Sequence, residues 1–158
     1  MKIITTDRLR EMAVAAETAP RRRTNFNIHA AAEDPVQRYF IAARKDAYFR
    51  PHRHPVRWEF AIVLQGRFDV LVFDGDGRVT RRVRVGPEAG AVGFELAPGA
   101  WHAWVTMTDA GVFAEVKEGP YDPFTAAEFA PWAPAEGTPG VSDFLERMRH
   151  AAVGDRMA

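Results

Sequence analysis

From Thr24 onwards, short runs of β-branched and aromatic residues alternate with polar ones and are broken by Gly, Pro and Asp. A period of two bounded by turn formers is the mark of strands with one face buried. The pattern predicts strands over 25–29, 38–43, 47–53, 58–65, 67–73, 78–85, 91–96, 101–107 and 111–118. The plainest stretch is FDVLVFDGDGRVTRRVRV, where Asp74 to Gly77 tolerate the positive φ of a tight turn between two alternating runs, which makes a β-hairpin. Helical spacing is confined to the ends. Thr6 to Glu17 reads as a short helix with Thr6 as its N-cap, stopped before Pro20. In VSDFLERMRHAA, Ser142 stands at an N-cap position and Phe144, Leu145 and Met148 recur at helical spacing. Between strands and last helix lies PYDPFTAAEFAPWAPAEGTPG, whose Tyr121, Phe124, Phe129 and Trp132 imply a segment that wraps and packs.

These elements describe an all-β fold with short flanking helices, spaced as in a sandwich or barrel. The expected organisation is a single domain over 1–158: an N-terminal helical segment at 1–23, a β-barrel core at 24–118, and a wrapping loop with a C-terminal helix at 119–158.

Composition narrows the function. Lys plus Arg and Asp plus Glu are both 21, so the net charge is zero and no basic excess exists to neutralise a phosphate backbone, which argues against nucleic acid. The run Arg21, Arg22, Arg23 fits an anion site or the flank of a site, or, more commonly for such runs, a solvated surface. With no cysteine, disulfides, thiolate metal sites and cysteine nucleophiles are excluded, and any metal must be held by His and carboxylates. Asp7, Arg8, Arg10 and Glu11 interrupt what would be the apolar core of a signal peptide, and no apolar run reaches membrane-spanning length, so a cytoplasmic location is expected.

The candidate chemistry sits in YFRPHRHPVRWEFAIVLQG, residues 48–66. Side chains at i and i+2 of a strand share a face, with Cα atoms about 6.5 Å apart, so His52 and His54 can converge on one ion. Tyr48 and Arg50 have the same parity. Pro55 interrupts the strand and lets the chain return Glu59 beside the histidines as a third ligand. In ELAPGAWHAWV, His102 follows a Pro98-Gly99 turn and is the natural fourth. Asn25, Asn27 and His29 alternate with Phe26 and Ile28, and Glu115 and Lys117 alternate with Val112, Ala114 and Val116. Each polar set fits either a pocket wall or a solvated face. Tyr121 fits the mouth of a cavity, Trp101, Trp104 and Trp132 fit a core or cavity wall, and His150 fits the surface.

HxH, four residues, Glu, six residues, Gly at His52 to Gly66 resembles the first motif of the cupin superfamily, and PGxWH at 98–102 resembles its second. The resemblance implies a double-stranded β-helix, or jelly-roll barrel, with His52, His54, Glu59 and His102 as metal ligands. The asparagine often found four residues after the second-motif histidine is replaced by Thr106, at a position that is not a ligand. NxNxH at 25–29, DPVQR at 34–38, RPHRH at 50–54, WE at 58–59, EVKEGPY at 115–121 and APWAPAEG at 130–137 together resemble the WbuC family of cupin-fold metalloproteins. That family is associated with bacterial surface-polysaccharide (O-antigen) gene clusters.

The reading that follows is one divalent ion, Zn, Fe, Mn or Ni, serving a small polar and sugar-derived ligand. Tyr48, Arg50 and His29 would orient it in catalysis, and Asn25, Asn27, Glu115, Lys117 and Tyr121 would bind it. The alternatives are a binding module without turnover and an iron-dependent dioxygenase. The cupin resemblance also implies a homodimer.

Overall fold

A computed structural model describes all residues, Met1–Ala158. Two five-stranded sheets stand face to face. One has the order β1-β2-β9-β4-β7, from β1 (Arg23–Asn27), β2 (Val36–Arg44), β4 (Glu59–Gln65), β7 (Gly93–Leu96) and β9 (Ala110–Glu118). The other has the order β10-β3-β8-β5-β6, from β3 (His52–Arg53), β5 (Phe68–Phe73), β6 (Val79–Val85), β8 (Trp101–Thr106) and β10 (Glu128–Phe129). Every pairing is antiparallel. Helix α1 (Thr6–Ala15) covers the back of the first sheet, and α2 (Val141–His150) covers the back of the second.

Strand alternation explains how each layer is filled. In β8 all six residues are buried, because Trp101, Ala103 and Val105 face α2 while His102, Trp104 and Thr106 face the other sheet. Between the sheets, Phe68, Trp104 and Phe113 form the centre of the core, the last two stacked with centroids 4.0 Å apart and planes at 11°. Burying side chains of this size contributes roughly 2–3 kcal/mol each. Gly111 is required here: a Cβ would lie 2.4 Å from a ring atom of Phe68.

The hairpin forms as its sequence implies, with the Gly77 N–H donating to the Asp74 carbonyl and Gly77 at φ +76. Three local details differ from expectation. Thr5, not Thr6, caps α1, its hydroxyl accepting the Arg8 N–H at 3.1 Å. Gly140, at φ +89, stands at the N-cap of α2 in place of Ser142, which lies one position inside the helix. Of the strand expected over 47–53, only His52–Arg53 pairs. The reason is packing: Tyr48 enters the cluster under α2 and Phe49 the cluster between the sheets, so this stretch crosses from layer to layer. Its carbonyls are met from outside a ladder, that of Tyr48 by the Arg23 guanidinium and that of Pro51 by the Ala130 N–H.

The wrapping segment contributes the short β10, which pairs Phe129 with His52. Trp132 packs against Phe73, as a wrapping segment requires, but Phe124 is 93% exposed and packs on nothing. No helix is long and apolar enough to cross a membrane.

Candidate metal centre

His52 and His54 lie on and just after β3, and His102 on β8 pairs directly with His52. Pro55 and Val56 bend the chain, as the proline implies, and return Glu59 as the first residue of β4 in the opposite sheet. The four side chains therefore bridge the two sheets. One ligand atom from each lies within 4.8 Å of all the others. Glu59 and His102 are almost fully buried, 2% and 1% exposed, which puts the cluster at the inner end of its cavity.

The tautomers follow from the hydrogen bonds. Nδ1 of His52 lies 2.9 Å from the Arg50 carbonyl, that of His54 2.5 Å from the Ala126 carbonyl, and that of His102 2.9 Å from the Ala100 carbonyl. A carbonyl only accepts, so each Nδ1 carries a proton, and in the neutral form of each ring the Nε2 lone pair faces the cluster. There His54 Nε2 meets Glu59 Oε2 at 2.9 Å, and His102 Nε2 meets Glu59 Oε1 at 3.7 Å. His102 Nε2 and Glu59 Oε1 are buried and have no hydrogen-bond partner. Acceptors facing acceptors in a buried place are costly unless a cation lies among them. Three imidazoles and a carboxylate are also a donor set suited to a divalent transition metal, so the residues fit such an ion.

Electrostatics agree. Burial, then the neighbouring His102, pushes His52 well below its ordinary value, and burial likewise lowers His102 against the pull of Glu59. Both rings are thus held neutral, the form that ligates. Burial alone would raise Glu59, yet positive charge around it, on His102 and His54 when protonated and on Lys117, outweighs this and holds the carboxyl well below the usual range.

Beside the cluster, Lys117 Nζ donates to Glu115 Oε1 at 2.7 Å and lies 3.9 Å from Glu59 Oε2. The Tyr39 hydroxyl donates to the same Glu115 oxygen. Burial and the charge of Glu59 raise the Glu115 carboxyl, and burial with the charge of Glu115 lifts Tyr39 well above its ordinary value. Burial opposes the charge on Lys117, but Glu115 and Glu59 more than compensate and raise it.

Above the cluster opens a cavity of about 800 Å³. It is lined by Asn25, Asn27 and His29 and by Glu115 and Lys117, all from the side of the first sheet, and by Arg50, Tyr121 and Phe129. The polar stripes that fitted either a wall or a solvated face are thus wall residues, since α1 takes the apolar partners Phe26, Ile28, Val112 and Ala114. His29 Nδ1 lies between the Arg38 N–H at 3.0 Å and the Arg38 carbonyl at 2.9 Å.

Tyr48 is the exception among the expected site residues. Its ring packs edge-on to Phe144 of α2 and its hydroxyl donates to the Pro134 carbonyl at 3.0 Å, so it faces away from the cavity. Shared parity with His52 carries no weight where the chain is not a strand. Arg21 and Arg23 follow the less common of the two readings of their run, the flank of a site. Both line the cavity and both donate to Glu136. Arg23 could have been found from its parity with Asn25 and Asn27. Tyr39 and Glu136 carry no local signal, because the first depends on the pairing of β2 with β9 and the second lies in coil. Trp104 lines the cavity, Trp101 and Trp132 belong to the layer under α2, and His150 is exposed with Glu146.

Solved structures share this architecture. An uncharacterized conserved protein with a double-stranded β-helix domain from Klebsiella pneumoniae superposes with a TM-score of 0.58 at 12% identity, covering 82% of this chain and 97% of its own. A cupin 2 conserved barrel domain protein from Rhodopseudomonas palustris gives 0.53 at 14% identity, covering 80% and 73%. At such identities the likeness establishes the fold, a cupin double-stranded β-helix. No curated protein matches the chain. A family model described as a domain of unknown function, DUF6016, matches residues 4–85, a stretch that includes the NxNxH, DPVQR, RPHRH and WE segments. On that match, over more than half its length, the chain belongs to the DUF6016 family.

Proposed function

We propose that this protein holds a divalent ion on His52, His54, Glu59 and His102 and uses it to bind and transform a small polar metabolite in the cavity above. The observation that carries the reading is the set of three carbonyl-fixed imidazoles whose Nε2 lone pairs converge with Glu59, two of the facing atoms having no other partner. A divalent ion bound there supplies Lewis acidity toward a ligand oxygen. The chain's own residues do the rest. Asn25 and Asn27 offer carboxamides to hydroxyl groups, His29 and Arg50 orient the ligand, and Tyr121 and Phe129 screen the mouth from water. Tyr39, Glu115 and Lys117 place proton-bearing groups on the same wall, which suits a proton-transfer reaction such as isomerisation or epimerisation.

The likeness of the NxNxH, RPHRH and EVKEGPY segments to the WbuC family supports a setting in surface-polysaccharide (O-antigen) biosynthesis. Sugars and sugar nucleotides are therefore the first compounds to try. The test is metal analysis of the purified protein, followed by incubation of the metal-loaded protein with such a panel and product detection by NMR. Conversion of a panel member by wild type and not by His102→Ala supports the reading. Binding without product would reduce the protein to a binding module, and turnover that requires oxygen would make it a dioxygenase. Absence of metal uptake would remove its basis.

A further inference from the structure

Resting on the metal-site reading above, we infer that the ligand of this cavity is an anion, a small hydroxylated carboxylate, and that Arg50 selects it.

The charges lining the cavity are unequal. Four permanent cations, Arg21, Arg23, Arg50 and Lys117, face three carboxylates, Glu59, Glu115 and Glu136. Three of the cations are already matched. Arg21 meets Glu136 at 2.5 and 2.7 Å, Arg23 meets the same carboxylate at 2.6 Å, and Lys117 sits between Glu115 and Glu59. Arg50 has no acidic partner. Of its five N–H donors one is used, from Nη2 to the Ala130 carbonyl at 3.1 Å, and its buried Nε has no partner. The guanidinium lies over the Phe129 ring at 5.2 Å, so its orientation is held without its charge being met. A divalent ion on Glu59 would make the cavity more positive still. A neutral sugar entering this space would strip water from Arg50 and return no counter-charge, whereas a carboxylate returns both charge and acceptors.

Two observations refine the anion. Neither helix N-terminus lines the cavity, since α1 begins after Thr5 and α2 after Gly140, and neither residue contributes to its walls. The site therefore lacks the cluster of backbone N–H groups that favours phosphate; the Arg50 fork pairs with carboxylate and phosphate alike, so the missing amides are what turn the choice toward a carboxylate. On the opposite wall, Asn25 donates to Asn27 at 2.9 Å, which leaves further donors and acceptors of both carboxamides exposed to hydroxyl groups. A space of about 800 Å³ suits a molecule up to the size of a sugar acid.

The experiment compares matched acids and alcohols on the metal-loaded protein by isothermal titration: L-glycerate against glycerol, D-gluconate against D-sorbitol, and D-glucuronate against D-glucose. At least one acid is expected to bind roughly tenfold or more tightly than its neutral partner. Arg50→Gln should abolish that preference, and Arg50→Lys, which keeps the charge and loses the fork, should retain part of it. Should Arg50→Gln fail to fold, the lysine variant carries the comparison, because an unchanged preference there removes the role of the fork. Equal binding of acid and alcohol, no binding of any acid to fully metallated protein, or tighter binding of inorganic phosphate than of the acids would overturn the inference. Metal content of the same samples separates the two levels: a chain that takes up its ion but shows no acid preference refutes the carboxylate alone, while a chain that takes up no ion refutes the site beneath it.

Discussion

His54 Nε2 lies 2.9 Å from Glu59 Oε2 while Nδ1 of the same ring lies 2.5 Å from the Ala126 carbonyl. With the proton on Nδ1, two acceptors face each other in a buried place. The wrapping segment, which supplies Ala126, thereby sets the tautomer of a histidine seventy-two residues before it in the chain.

Metal uptake should follow from this relationship. The purified protein is expected to carry one divalent ion, and a chelator should lower its melting temperature. An ion present at a hundredfold its Kd contributes about 2.7 kcal/mol of stability. Glu59→Gln and His102→Ala should lose the ion and, with it, sensitivity to chelator. Metal analysis beside differential scanning fluorimetry checks both, and a chelator-insensitive wild type would contradict the site.

A second expectation concerns the latch between sheet and helix. Arg82 donates to Asp69, which is almost fully buried, and to the carbonyls of Met148, Arg149 and Ala151 at the end of α2. Removing Arg82 leaves the buried Asp69 with only the exposed Arg84, 3.8 Å from its Oδ1, so Arg82→Ala should cost about 3 kcal/mol, the lower end of the range for a broken buried pair. Adding Asp69→Ala should restore part of that loss, since the stranded carboxylate goes too. Urea denaturation of the two single variants and the double variant measures the coupling.

Trp104 tests the core beneath the cavity. It stacks on Phe113 and is 2% exposed. Trp104→Ala should lower stability by about 3–5 kcal/mol through lost burial and an unfilled space. Because Trp104 also lines the cavity, ligand affinity should fall alongside. A variant as stable as wild type would mean the two sheets close without it.

The Arg21, Arg23 and Glu136 cluster predicts a pH dependence. Burial alone would raise Glu136, but its hydrogen bonds to Arg21 and Arg23 and their charge outweigh this and hold it below its ordinary value of 4.5. A carboxyl depressed on folding adds stability that is present above its unfolded pKa and is lost as pH falls through its folded pKa. Glu136→Gln should therefore be less stable than wild type at neutral pH, and the gap should close in acid, below the ordinary carboxylate range. Chemical denaturation of both proteins across that window checks the sign. A gap that widens toward acid would be the wrong sign.

The four-residue cluster was legible because its spacing is local. A two-residue step along a strand, a proline that turns the chain and a Pro-Gly turn before a histidine are covalent facts, and the four residues they mark do converge. Tyr48 shows where that logic stops: residues 47–51 leave the sheet to fill two separate cores, and parity ends with the ladder. For Glu115 and Lys117 the pattern left two faces open, and only α1, by covering the apolar one, assigned the polar one to the cavity.

By itself, then, the sequence determined the periodicities, the turns and the four side chains able to meet at one ion, since each depends on neighbours a few residues apart. The tertiary structure alone decided which charges around that cluster are answered. Glu136 reaches Arg21 and Arg23 across more than a hundred residues, Tyr39 reaches Glu115 across seventy-six, and Arg50 reaches no carboxylate at all. Such pairings are set by the packing of distant strands and coil, and charge neutralisation depends on distance in space, which spacing along the chain does not encode.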